Sequence, residues 1–197
     1  MVALRYAVVG TGMRAGMYVR ALTGAHADVG ELKALADVNE GRLKVHAERV
    51  VESGSPRPTL YHPDQLEAMI ATERLDRVII TSPDYTHADL IVRALDAGAD
   101  VIVEKPLTID ANGCAAIAAA TMRTGRSVVI TFNYRYAPRN SALKQVVASG
   151  AIGKVTSRTS NGCSTPATGR TTSAAGTETR RTPAVCLSTR HLTTSTS

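Results

Sequence analysis

Residues 1–155 read as an α/β domain built on a doubly wound parallel sheet, and residues 156–197 as an irregular tail. Two observations predict the domain. Five apolar runs of strand length recur along the chain, and between them lie longer segments whose apolar residues repeat at helical spacing. The runs do not alternate strictly between apolar and polar, which suits strands covered by helices on both faces. A third observation sets off the tail: its 42 residues hold thirteen Thr, seven Ser and no aromatic residue. Alone, such a stretch buries too little apolar area to offset the entropy of ordering, so it is expected to be disordered.

The first strand, "RYAVVG", runs into Gly10-Thr11-Gly12-Met13-Arg14-Ala15-Gly16 and then a helix of about three turns to Gly24. This is a G-x-G-x-x-A turn between a strand and a helix. Gly10 permits the tight bend, Gly12 lets backbone approach a pyrophosphate, and Ala15 allows close helix–strand packing. Free N–H groups at the helix start face the phosphates. The second strand, "LKALAD", ends in Asp37, placed either to accept hydrogen bonds from the adenosine ribose or to cap the helix that begins in "DVNEGRL". With the glycines present the ribose role is favoured. An acid there disfavours the extra phosphate of NADP, so NAD is expected, while Arg42 nearby keeps NADP open.

A helix over Asp64–Thr72 precedes the third run, "DRVIITS", which ends in the turn Thr81-Ser82-Pro83. His87 opens a helix over His87–Ala97, and taken alone it reads as structural, a cap or surface residue rather than a catalytic one. The fourth run, "ADVIVEK", delivers Glu104 and Lys105 at its exit, where Pro106 ends ladder pairing. A lysine there can donate to a substrate hydroxyl or carbonyl and stabilise negative charge on oxygen; a solvated Glu–Lys pair is the plainer alternative. A helix over Asp110–Thr124 leads to the last run, "SVVITFN", which places Asn133, Tyr134 and Arg135 at its end.

Composition narrows the function classes. The three cysteines are odd in number and lack metal-ligand spacing, which argues for a reducing compartment and no metal site. No run approaches the roughly 18 apolar residues of a membrane span, and the N-terminus lacks the pattern of a secretory signal. A cytoplasmic protein with no membrane partner is expected. The net charge of +6 belongs mostly to the tail, where five Arg and one acid leave +4. That tail has no lysine and no stacking aromatic, so nucleic acid is not an expected partner.

The patterned half resembles the Gfo/Idh/MocA family, the glucose–fructose oxidoreductase and inositol dehydrogenase group. The matching pieces are "VVGTGMRAGMYVRAL", "ALADVNEGRL", "VIITSPDYTHADLIVRALDAGADVIVEKPLT" and "TFNYRYAPRNSALKQVVASGAIGKV", in family order through residues 4–155. The resemblance implies that Gly10, Thr11, Gly12, Met13 and Arg14 meet the dinucleotide and that Asp37 meets its ribose. Thr81, Ser82, Pro83, His87 and Glu104 then line the nicotinamide side. Lys105 becomes the catalytic lysine, with Asn133 close to it, and a cis bond precedes Pro106. The reaction implied is hydride transfer between a nicotinamide cofactor and a carbon bearing a hydroxyl on a sugar, cyclitol or related polyol.

The family's second domain carries most substrate contacts, the acid/base histidine and the oligomer interface, so a homo-oligomer is expected for the full-length form. Reading the tail codons one base out of register turns Thr into Tyr, His, Asn or Asp and Ser into Phe, Leu, Ile or Val. An aromatic-rich string like the start of that second domain is then allowed. Residues from about 157 are therefore expected to be a frameshifted segment, ahead of a true Ser/Thr-rich linker or a basic arm. A chain of this extent is expected to bind dinucleotide weakly and to turn over little. A non-catalytic nucleotide-binding module stands as the alternative.

Overall fold

The computed structural model describes residues 3–155. The expectations of a disordered or frameshifted tail fall on residues 156–197 and lie outside the described residues.

Six strands form one sheet: β1 (Leu4–Val9), β2 (Gly30–Ala36), β3 (Thr59–Tyr61), β4 (Arg77–Ile80), β5 (Asp100–Glu104) and β6 (Val128–Thr131). Every pairing is parallel and the order is β3-β2-β1-β4-β5-β6. The order reverses between β1 and β4, and ligands of open α/β sheets bind beyond the strand ends at such a switch point. Five helices connect the strands: α1 (Ala15–Leu22), α2 (Glu40–Glu52), α3 (Leu66–Glu73), α4 (His87–Asp96) and α5 (Ala111–Thr124).

Side chains on a strand point alternately to the two faces, and here both faces are apolar. Ala7, Val9, Val78 and Ile80 enter one core with residues of α3, α4 and α5. Val8, Leu35 and Ile79 enter a second core with Ala15 and Val19 of α1 and Leu43 and Val50 of α2. That double burial explains why the strand runs read as continuous apolar stretches.

The structure refines several sequence readings. β3 escaped the sequence because three residues offer no periodicity, and it forms because β2 presents an open edge to it. α1 has eight residues, about two turns, and Thr23 caps it through a backbone bond to Val19. The predicted helix over Asp64–Thr72 divides into a 3₁₀ turn at Pro63–Gln65 and α3. Asp110 caps α5, its carboxylate accepting the Gly113 amide at 2.7 Å.

The chain falls into two units, Met1–Asn133 and Tyr134–Ser197. The described part of the second unit is built on α6 (Pro138–Ala148), with Pro138 in its first turn, where a missing N–H costs nothing. Among the described residues, no helix is long and apolar enough to cross a membrane and no cluster of three or more His, Cys, Asp or Glu is placed to hold a metal.

Two substitutions probe this architecture by urea denaturation. Ile80→Ala, at a fully buried position, is expected to cost about 2–5 kcal/mol. Asp110→Ala, which removes the α5 cap, is expected to cost about 1 kcal/mol.

Candidate functional site

The end of β1 is bent by Gly10, whose φ of +88° favours glycine. The bend lies so close to the next strand that a Cβ on Gly10 would sit 2.5 Å from the Ser82 amide nitrogen. Thr81 closes the same seam: its amide donates to the Val9 carbonyl at 2.8 Å and its hydroxyl to the Gly10 carbonyl at 2.5 Å. The ends of β1 and β4 are thus fastened together at the switch point.

Beyond Gly10 the loop is held from the other side by Asp37, at the tip of β2. Its Oδ2 accepts the Thr11 amide at 2.6 Å and the Thr11 hydroxyl at 2.8 Å. Its Oδ1 accepts the Asn39 amide and Arg42 Nη2, both at 2.8 Å. Burial alone would push this carboxyl up, but the hydrogen bonds from Arg42, Asn39 and Thr11 together hold it below the usual carboxylate range. The helix-cap reading of Asp37 is corrected: Asn39 caps α2, its Oδ1 accepting the Arg42 amide at 3.0 Å. Asp37 lies two residues too early to reach that amide as the cap.

The consequence at the loop is a row of donors. Among the described residues, no acceptor serves the amides of Gly12, Met13 and Arg14, and α1 has no side-chain cap. A Cβ at Gly12 would meet nothing within 4 Å, so open space lies over the bend. Unpaired amides at a helix start, with room in front of them, suit a phosphate group. A cleft of about 440 Å³ is lined by Gly10 at the bend and by Asp37, Val38, Ser82, Pro83 and Tyr85. The residues present therefore fit a dinucleotide.

The remaining expected site residues divide. Met13 is exposed over the loop. The hydroxyls of Thr81 and Ser82 do not face the cleft as free donors, since Ser82 Oγ pairs with Thr86 Oγ1 at 2.7 Å. Pro83 begins a 3₁₀ turn at Asp84–Thr86 and keeps its place on the cleft wall. His87 is a structural residue but not a surface one: it is 1% exposed, with Nδ1 2.8 Å from the Pro106 carbonyl and Nε2 3.0 Å from the Ser82 carbonyl. A neutral ring donates to one of them at a time, so His87 joins the turns after β4 and β5.

The plainer reading of Glu104 and Lys105 as a solvated pair is also corrected. Neighbours on a strand diverge to opposite faces, and only Lys105 is exposed. Lys105 makes no ion pair or hydrogen bond with another described residue, and its bond to Pro106 is cis. Glu104 is 5% exposed and is held by α1. Its Oε1 accepts the Tyr18 hydroxyl at 3.0 Å and lies 3.5 Å from Arg14 Nε. The same hydroxyl is 2.8 Å from Thr131 Oγ1. Tyr18 is the site residue that sequence reasoning missed. Its signal was present, because Arg14 and Tyr18 are four apart and share one helix face. Asn133 follows β6 at the start of a 3₁₀ turn, beside the Glu104 strand in the sheet order.

Comparison with known proteins agrees with this geometry. The model of an oxidoreductase family with an NAD-binding Rossmann fold, Gfo/Idh/MocA, matches residues 4–132. An inositol 2-dehydrogenase of Rubrobacter xylanophilus is 36% identical over 153 residues, which is 74% of this chain and 40% of that protein. Inositol 2-dehydrogenase 1 of Saccharopolyspora erythraea is 33% identical over 76% of this chain and 43% of its own length. Among solved structures, the myo-inositol 2-dehydrogenase of Lactobacillus plantarum superposes with a TM-score of 0.66 at 26% identity, over 78% of this chain and 43% of that one. The WlbA dehydrogenase of Chromobacterium violaceum, solved with NADH and UDP-GlcNAcA, has a TM-score of 0.64 at 26% identity, over 77% of this chain and 41% of that one. The chain thus spans about two fifths of the length of the curated relatives it matches.

The buried Tyr18 phenol has a pH signature. Burial pushes the phenol up to about 12, the Thr131 hydrogen bond opposes this and Glu104 adds to it. The stability Tyr18 contributes is whole below the ordinary value of 10.0 and is lost as pH rises through about 12. Subtracting the stability–pH curve of Tyr18→Phe from that of the parent chain is expected to show a fall confined to that window. A flat difference would contradict the burial of the Tyr18 phenol beside Glu104.

Proposed function

The chain belongs to the Gfo/Idh/MocA oxidoreductase family, and we propose that it is the nucleotide-binding half of an NAD-dependent enzyme acting on a CH–OH group of a sugar, cyclitol or related polyol. The observation that carries this reading is the row of unpaired amides at Gly12, Met13 and Arg14 under open space. Those amides hold the pyrophosphate, and Asp37 meets the adenosine ribose. The cleft between Val38 and Tyr85 takes the adenine end.

The nicotinamide group, when bound, accepts or supplies the hydride. The chain's own residues prepare the reaction around it. Lys105, exposed at the β5 exit and free of described partners, polarises the substrate hydroxyl and stabilises negative charge on its oxygen. Glu104 orients that strand end through Tyr18 and Arg14, and His87 orients the turn after it. Both act as positioning residues. Substrate choice and the acid/base partner of Lys105 belong to the part of the family's length that this chain does not span.

Gly12→Val separates binding from folding. A Cβ fits at Gly12 in the free chain, so stability is expected to hold, whereas the added side chain fills the space a pyrophosphate needs. NADH titration is expected to show a loss of about tenfold or more in affinity. Equal NADH affinity in both proteins would defeat the loop assignment. For the chemistry, residues 1–155 joined to the remainder of an inositol dehydrogenase are expected to reduce NAD with a polyol. Lys105→Ala in that chimera is expected to lower turnover about hundredfold or more while NADH binding persists; unchanged turnover would remove Lys105 from the mechanism.

A further inference from the structure

Every acceptor position of the Asp37 carboxylate is filled from within the chain. Oδ2 takes the amide and hydroxyl of Thr11, and Oδ1 takes the Asn39 amide and the Arg42 guanidinium. A carboxylate offers about two lone-pair sites on each oxygen, so a ribose hydroxyl arriving at either one finds no vacancy. The four donors are not equally fixed. Thr11 is 1% exposed and lies in the loop itself, and the Asn39 amide is backbone at the start of α2. Arg42 sits in the first turn of α2 on a flexible stem, with its side chain 50% exposed while that of Asp37 is 4% exposed.

We infer that Arg42 is a specificity-determining latch on the ribose site: it occupies Asp37 Oδ1 in the ligand-free chain and must swing away before a ribose diol is bound there. The inference rests on the reading of this bend as a dinucleotide site and adds to it a competitor built into the same helix. The exchange is within reach of a ligand because the Arg42 side chain is half-exposed and an arriving ribose hydroxyl replaces the donor it gives up on Oδ1. In the ligand-free chain the latch is closed. Asp37 is the only acid paired with Arg42 among the described residues. The neighbouring space of about 630 Å³ that Arg42 also lines holds Arg20, Arg49 and His46. Neither of those two arginines makes an ion pair with a described residue, and His46 Nδ1 is buried without a partner among them. A guanidinium leaving Asp37 on that side moves among like charges, while the cleft on its other side carries Asp64 and Asp89 to receive it.

The test compares ligands that differ only in the groups the latch excludes. Adenosine monophosphate and its dideoxy analogue, which lacks both ribose hydroxyls, are titrated by calorimetry into the full chain and into Arg42→Met and Arg42→Gln. Loss of the Arg42 charge acts on the phosphate of both ligands alike and cancels in the ratio of their affinities. With the latch removed, the preference for the hydroxylated nucleotide is expected to rise roughly three- to tenfold in both variants. An unchanged or lowered ratio, with both nucleotides bound, would overturn the latch and leave the nucleotide site standing. Binding of neither nucleotide to any of the three proteins would overturn the latch together with the reading on which it rests.

Discussion

The carboxylate of Asp37 gripping Thr11 is the contact on which the site depends. A loop that turns through Gly10 and must leave three amides unpaired has little to hold it in shape. Two hydrogen bonds from Thr11 to one buried oxygen supply that hold, drawing the loop toward the tip of β2. Burying a charge is costly unless it is well bonded, and here four donors surround it. The same group that shapes the phosphate loop is also the one placed to recognise the ribose. Anything that loosens Asp37 is therefore felt at both.

The rest of the site is assembled by short ties between neighbouring strand ends. Gly10 lets β1 close against the Ser82 backbone, Thr81 seals that seam, and His87 joins the turn after β4 to the turn after β5. On the far side, α1 returns through Arg14 and Tyr18 to Glu104, the residue before Lys105. The glycine loop and the candidate catalytic lysine are thus connected through one helix and one buried carboxylate. A change at either end has a physical route to the other.

Much of this was legible in the residues. Both-face burial wrote itself into the runs of β1, β4 and β5, and the G-x-G-x-x-A bend and Asp37 stand where a strand meets a helix. What escaped depends on contacts distant in sequence or on elements too short to carry a period. β3 exists only because β2 offers its edge. The fate of Asp37 turned on Asn39, two residues on, being better placed to cap α2. His87 looked like a surface residue at a helix start because nothing local shows that the turn at Pro106 folds over it. The solvated Glu104–Lys105 pair, the plainer alternative in the sequence, is set aside because Glu104 is buried against Tyr18 while Lys105 is exposed.

The most direct measurement is a crystal structure of the chain soaked with NADH. The predicted result is the diphosphate on the amides of Gly12, Met13 and Arg14, a ribose hydroxyl on Asp37 Oδ1, and Arg42 displaced from it. A dinucleotide lodged elsewhere, or none at that bend with Arg42 still on Asp37, would contradict it.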